Sequence, residues 1–166
     1  MNYEIVELEE FSAKKAVIYS VLVEGDDFSL FDHFIIKHRQ NFQSELKSIV
    51  DRLTVISDRT GAREGFFKLN EGVLGDGVCA LYDEPDKDLR LYCIRLGSVA
   101  IILGGGGPKP PGVRAWQDDP TLKAEAELMI KIAKDVDKRF KEGDIEWSED
   151  RTYLSGNLKF NENEAD

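Results

Sequence analysis

The chain has 166 residues, 42% hydrophobic and 33% charged, with a formal net charge of −10. That length and balance point to one folded domain with a sizeable core and exclude a disordered chain. The longest apolar runs, AVIYSVLV and VAIIL, fall far short of a bilayer span. The opening MNYEIVELEE lacks the basic-then-apolar order of a signal peptide, so a cytoplasmic protein with no membrane partner is expected.

The acidity is uneven. Residues 1–30 carry seven acids and two bases, residues 140–166 eight acids and three bases, and residues 31–139 carry 17 of each. A net negative chain is repelled by nucleic acid at long range, which disfavours generic DNA or RNA binding. Within the neutral middle, however, residues 37–68 gather seven bases against four acids. The C-terminal stretch of opposite charge is expected either to lie near this basic region and partly shield it, within about 8 Å, the reach of unscreened attraction, or to be a solvated, frayed tail that aids solubility.

Taken in chain order, NYEIVEL reads as a first strand and KAVIYSVLVEG as a second, stopped by Gly25 and two aspartates. A buried helix is the alternative for the second run. Ser29 with Asp32 three residues on resembles a capping box, and it opens a helix with Phe31, Phe34, Ile35 and His38 on one face. A second helix carries Phe42, Leu46, Ile49, Val50 and Leu53 with a 3.6-residue period, fading at SDRTG where Gly61 is a stop. Then come short β-type runs, punctuated by GDG, DEPDKD and LGS, that predict an antiparallel meander of residues 78–83, 89–96 and 98–103 packed on the helix of residues 42–57.

Asp119 as cap, Pro120 at the first position and Gly143 as stop frame a long helix with Leu122, Ala126, Met129, Ile130, Ala133, Val136 and Phe140 as its apolar stripe. Beyond it, a short strand or hairpin is expected around Ser155 and Gly156. Cys79 and Cys93 sit in apolar surroundings without ligand spacing and read as core thiols. His33 and His38, five apart, are not spaced to share a metal from one helix face. No metal or other cofactor is expected.

The segment LGGGGPKPP, residues 103–111, invites a phosphate-loop reading, which fails. That loop needs Gly-Lys-Ser/Thr opening a helix. Here Pro108 separates Gly107 from Lys109, and Pro110 drives Lys109 out of helical geometry. The stretch reads instead as a strand end bare of side chains followed by a stiff segment presenting one lysine. A turn that needs glycines for its backbone angles is the alternative.

Strand, helix, helix, then three antiparallel strands, with the residues FFKLNEG, GVCALYDE and LRLYCIRLGSVAIILGGGGPK, resembles the RelE/HigB toxin superfamily and, more narrowly, its phage-Gp49-like members. The resemblance covers roughly Asp51 to Pro111 and, more loosely, the helices before it. It implies an α+β fold in which a RelE-like antiparallel sheet packs on two N-terminal helices, plus a long C-terminal helix. Residues 1–142 would form the toxin domain and residues 143–166 an acidic extension. The implied function is the toxin of a type II toxin–antitoxin pair, an mRNA endoribonuclease acting on mRNA or the ribosome and silenced by an antitoxin of helix-turn-helix type. A non-catalytic binding module on the same fold, or a toxin with another target, is the alternative.

Carried over by position, Arg90, Tyr92 and Lys109 would be catalytic. Arg63, Lys68 and Arg95 would bind RNA, as would Arg114, the next base after PPGV, where the family has a second lysine. The chemistry is intelligible: cations stabilise charge growing on phosphoryl oxygens while the 2′-hydroxyl attacks, and a tyrosine or lysine moves protons. Arg90 and Arg95, five apart on one strand, must face opposite sides. Arg90 goes with Tyr92 and Ile94, and Arg95 with Leu91 and Cys93. Arg95 is equally explained by pairing with an acid such as Glu84.

Overall fold

The most uniformly apolar segment becomes the interior of a sheet. The computed structural model, which describes residues 1–69, 71–72, 77–81, 88–109 and 119–161, places VIYSVLV in strand β2 (Val17–Val23), where Ile18, Tyr19, Ser20 and Val21 are all buried. A strand buried on both faces needs cover on both. Its neighbours are β1 (Tyr3–Glu7), antiparallel, and β6 (Ala100–Pro108), parallel from Val17 opposite Ala100 to Ser20 opposite Leu103. With β3 (Phe67–Lys68), β4 (Val78–Leu81), β5 (Leu89–Leu96) and β9 (Lys159–Phe160) the sheet has seven strands in the order β3-β4-β5-β6-β2-β1-β9.

This corrects the expected purely antiparallel sheet. The meander itself is present: β4, β5 and β6 are adjacent and antiparallel. Residues 82 and 83 of its first predicted strand lie outside the described residues. The mixed character enters at β2, because the chain between β2 and β6 crosses over through two helices and returns in the same direction. Two strands also precede those helices and join the same sheet, so the helices are not simply N-terminal to it.

Helices α1 (Leu30–His38) and α2 (Gln43–Val55) cover one face. The capping box is formed: the Ser29 hydroxyl accepts from the Asp32 amide, and the Asp32 carboxylate accepts from the Ser29 amide. Phe31, Phe34, Leu46, Ile49 and Leu53 pack there against Ile18, Cys79, Leu91, Cys93, Ile101 and Leu103. A π-helical turn, Ile56–Thr60, ends α2 at Gly61, whose φ of 77° suits glycine.

Helix α3 (Pro120–Glu142) covers the other face, capped by Asp119 and closed by Gly143 at φ 80°. Its buried stripe is Leu122, Ala126, Met129, Ile132, Ala133, Val136 and Arg139. Ile132 and Arg139 thus join the stripe expected from the sequence, while Ile130 and Phe140 are only partly buried. The residues after α3 fold with the rest. β7 (Ile145–Trp147) and β8 (Leu154–Gly156) form the small hairpin, β9 pairs with β1, and Ile145, Leu154 and Phe160 enter the core under α3. Arg139 ties this segment down, donating to the carbonyls of Asn157 and Lys159 and lying over the Phe160 ring. β9 and β3 are the two opposite edges of the sheet, so Lys159 and Phe160 lie away from Lys68.

The four glycines are strand, not turn. Gly104 to Gly107 are buried inside β6, and none has a positive φ. Gly104 and Gly106 are required by close approach. A Cβ on Gly104 would sit 2.5 Å from the Met129 sulfur of α3, and one on Gly106 would sit 1.8 Å from the Arg90 carbonyl oxygen. A bulge accompanies them: Leu91 pairs with Gly106 but Cys93 with Leu103, three residues of β6 against two of β5. Where β2 and β6 part company, the Ser20 hydroxyl donates to the Leu103 carbonyl at 2.7 Å and accepts from the Phe31 amide at 3.2 Å, joining both strands to the start of α1.

Candidate functional site

Strand alternation brings Lys68, Arg90 and Tyr92 to the face covered by α3. Lys68 pairs with Ala80 and Ala80 with Tyr92, a row across three strands, and Arg90 lies two residues along β5 on the same side. Glu71 completes the cluster: its Oε1 lies 3.8 Å from Arg90 Nη1 and 3.4 Å from Lys68 Nζ. Arg90 is 6% exposed, Glu71 7% and Tyr92 0%, whereas Lys68 reaches the surface.

Burial of this kind sets the chemistry. Removal from water pushes the Tyr92 hydroxyl up to about 12, with the nearby Arg90 guanidinium opposing the rise and the Glu71 and Asp119 charges adding to it. At neutral pH Tyr92 is therefore a protonated donor. Arg90 is held against a carboxylate, which neutralises it locally. The cluster is a buried ion pair beside a buried phenol, with Lys68 at its solvent edge.

Lys109 continues the same ladder. Its amide donates to the Asp88 carbonyl at 2.7 Å, two residues beyond Gly107, the partner of Arg90. Arg95 faces the other way, as alternation requires. Its Nε donates to the Ala62 carbonyl at 2.6 Å and its Nη1 lies 3.8 Å from Glu64, so it fastens the 3-10 turn Glu64–Phe66 beneath the α2 side of the sheet. The acid it meets is thus Glu64; Glu84 lies outside the described residues. Arg63 is exposed at the head of that same turn. Arg114 also lies outside the described residues. The seven sequence candidates thus separate: Lys68, Arg90 and Tyr92 together, Lys109 on the adjoining ladder, Arg63 and Arg95 on the opposite side.

The thiols of Cys79 and Cys93 face each other, Sγ to Sγ 3.6 Å, and both are free and buried. The hydrogen bond from Cys79, then burial, raises the Cys93 thiol well above its ordinary value, which leaves it an inert core group. His33 is exposed and sits 2.8 Å from Asp26, while His38 is buried between Phe34 and Phe42. No cluster of three or more potential metal ligands occurs among the described residues. Among those residues, too, no helix is long and apolar enough to cross a membrane.

Two groups escaped the sequence reading. Glu71 sits within the quoted FFKLNEG run, three residues after Lys68, a spacing that could have marked it as a partner. Glu125, on α3 against Gly105, has its carboxyl raised by burial, with the Lys37 charge opposing the rise. No family model, curated protein or solved structure matches the chain.

Proposed function

We propose that this chain is a RelE-fold protein of toxin–antitoxin type that acts by binding a target protein or nucleoprotein and does not cut RNA. The reading rests first on architecture: β2, two helices and the antiparallel run β4-β5-β6 follow the order that the sequence resemblance implies. The observation that carries the choice of binding over cleavage is the burial of Arg90 and Tyr92 beneath α3, with Arg90 paired to Glu71. A phosphate in a reaction site needs an exposed cation and a group able to take a proton near neutral pH. A Tyr92 raised to about 12 and a neutralised arginine supply neither. The net charge of −10 acts in the same direction, since it weakens non-specific attraction to RNA.

A second reading, the endoribonuclease, is favoured by one observation: Lys68, Arg90 and Tyr92 share a face and Lys109 lies on the ladder beside them. Expression in bacteria separates the two. Binding predicts growth arrest with intact mRNA, unchanged by Lys109→Ala. Arrest with fragmented mRNA, both lost in Lys109→Ala, would establish the nuclease instead. No arrest at all would remove the toxin reading.

A further inference from the structure

The two halves of α3 meet different parts of the sheet. The first half lies on bare glycine backbone, with Met129 filling the space over Gly104. The second half crosses strands that carry side chains, and it is drawn toward the far edge by two ties: Asp135 accepts from the Tyr3 hydroxyl at 2.6 Å, and Arg139 binds the carbonyls of Asn157 and Lys159. A wedge opens between this half and the end of β5, a cavity of about 610 Å³. That size is typical of a small-molecule site, where apolar walls and a few polar groups fix the ligand.

Ile94 and Leu96 of β5 form its floor; Ala133, Val136, Phe140 and Trp147 form its wall. The Phe140 and Trp147 rings meet at 38° with centroids 6.0 Å apart, an apolar corner that suits a flexible alkyl chain better than a flat ring needing parallel faces. Three charged side chains stand on the α3 side. Lys141 is already paired to Asp137 at 2.8 Å, whereas Lys134 makes no ion pair or hydrogen bond among the described residues. Arg95 contributes to the lining, but its guanidinium is committed to Ala62 and Glu64 on the opposite face. The cavity therefore offers the partly exposed apolar side chains of Leu96, Phe140 and Trp147 and one uncommitted ammonium at its mouth.

We propose that this cavity binds a fatty carboxylate, its alkyl chain against Leu96, Phe140 and Trp147 and its carboxylate at Lys134. The site lies at the end of β5 away from Arg90 and Tyr92, and it stands whichever reading of the main function holds. It can be tested on the full chain with anilinonaphthalene sulfonate as fluorescent probe and dodecanoate and dodecanol as competitors. Saturable one-to-one probe binding, displaced by dodecanoate more strongly than by dodecanol, is expected. Lys134→Gln should weaken dodecanoate about threefold, the worth of one surface ion pair, and leave dodecanol unchanged. Ala133→Phe should block the cavity and abolish probe binding. If that variant does not melt cooperatively, Leu96→Trp fills the same space from the opposite wall. Non-saturable probe binding, equal displacement by acid and alcohol, or binding that survives in a folded blocking variant would overturn the assignment.

Discussion

The two faces of one sheet are built on different principles. Under α1 and α2 the interior is chiefly hydrocarbon, with two thiols and the buried His38 imidazole, and the only arginine of β5 on that side, Arg95, leaves the core to fasten a turn at its rim. Under α3 the interior mixes aliphatic packing and the buried Tyr92 phenol with Arg90, Glu71, Tyr3 and Arg139, each of these four held by a specific partner. Its helix also approaches bare backbone at Gly104 and Gly105. An apolar face relaxes around a lost methylene; a face of close backbone contacts and buried charge does not. The α3 side should therefore be the brittle one.

Gly106→Ala has the largest expected effect in the molecule, because the added Cβ meets the Arg90 carbonyl of the neighbouring strand and no side chain can yield. We expect a loss of about 4 kcal/mol or more, or no cooperative thermal transition by circular dichroism. Gly107→Ala one residue on, with its nearest contact the Thr121 methyl at 3.6 Å, should stay within about 1 kcal/mol of the parent. Equal tolerance at both positions would remove the close-approach argument.

On the other face, Leu53→Ala should cost about 3 kcal/mol in urea denaturation, the usual price of a fully buried leucine. Glu71→Gln should cost about 2 kcal/mol by leaving Arg90 buried without a countercharge. Pairing it with Arg90→Met should recover part of that loss, since the uncompensated charge is gone. If the double variant is weaker than Glu71→Gln alone, the ion pair contributes more than its own burial costs.

The smallest effect is pH-dependent and belongs to the α1 side. Burial, aided by the Lys37 charge, holds His38 below the ordinary imidazole value of 6.5. A depressed folded pKa means the unfolded chain takes up the proton first. Stability is therefore full above 6.5 and falls as the pH drops below it, until the folded value is passed. The melting temperature should decline between neutral and mildly acidic pH, and His38→Phe should flatten that decline.

Much of this was legible from local rules. The Ser29–Asp32 box, the Asp119–Pro120 start, the Gly143 stop and the opposite facing of Arg90 and Arg95 follow from capping chemistry and a period of two. The parallel pairing of β2 with β6 was not legible, because the choice of neighbour is made by long-range packing and not by either strand's own residues. The glycine run shows the same limit. Its composition announced an unusual backbone, but only the position of α3 shows that the need is space for Met129 and for the neighbouring strand. At the candidate site, alternation placed Arg90 beside Tyr92 correctly. What it could not supply was the helix above them or the Glu71 carboxylate between Arg90 and Lys68.

The central proposal, that the buried Arg90 and Tyr92 act structurally beneath α3, is tested most directly with end-labelled mRNA incubated with the purified chain, alone and with ribosomes. The account predicts that the RNA remains intact in both cases. Fragments ending in a 2′,3′-cyclic phosphate, formed by the chain and lost with Lys109→Ala, would contradict it.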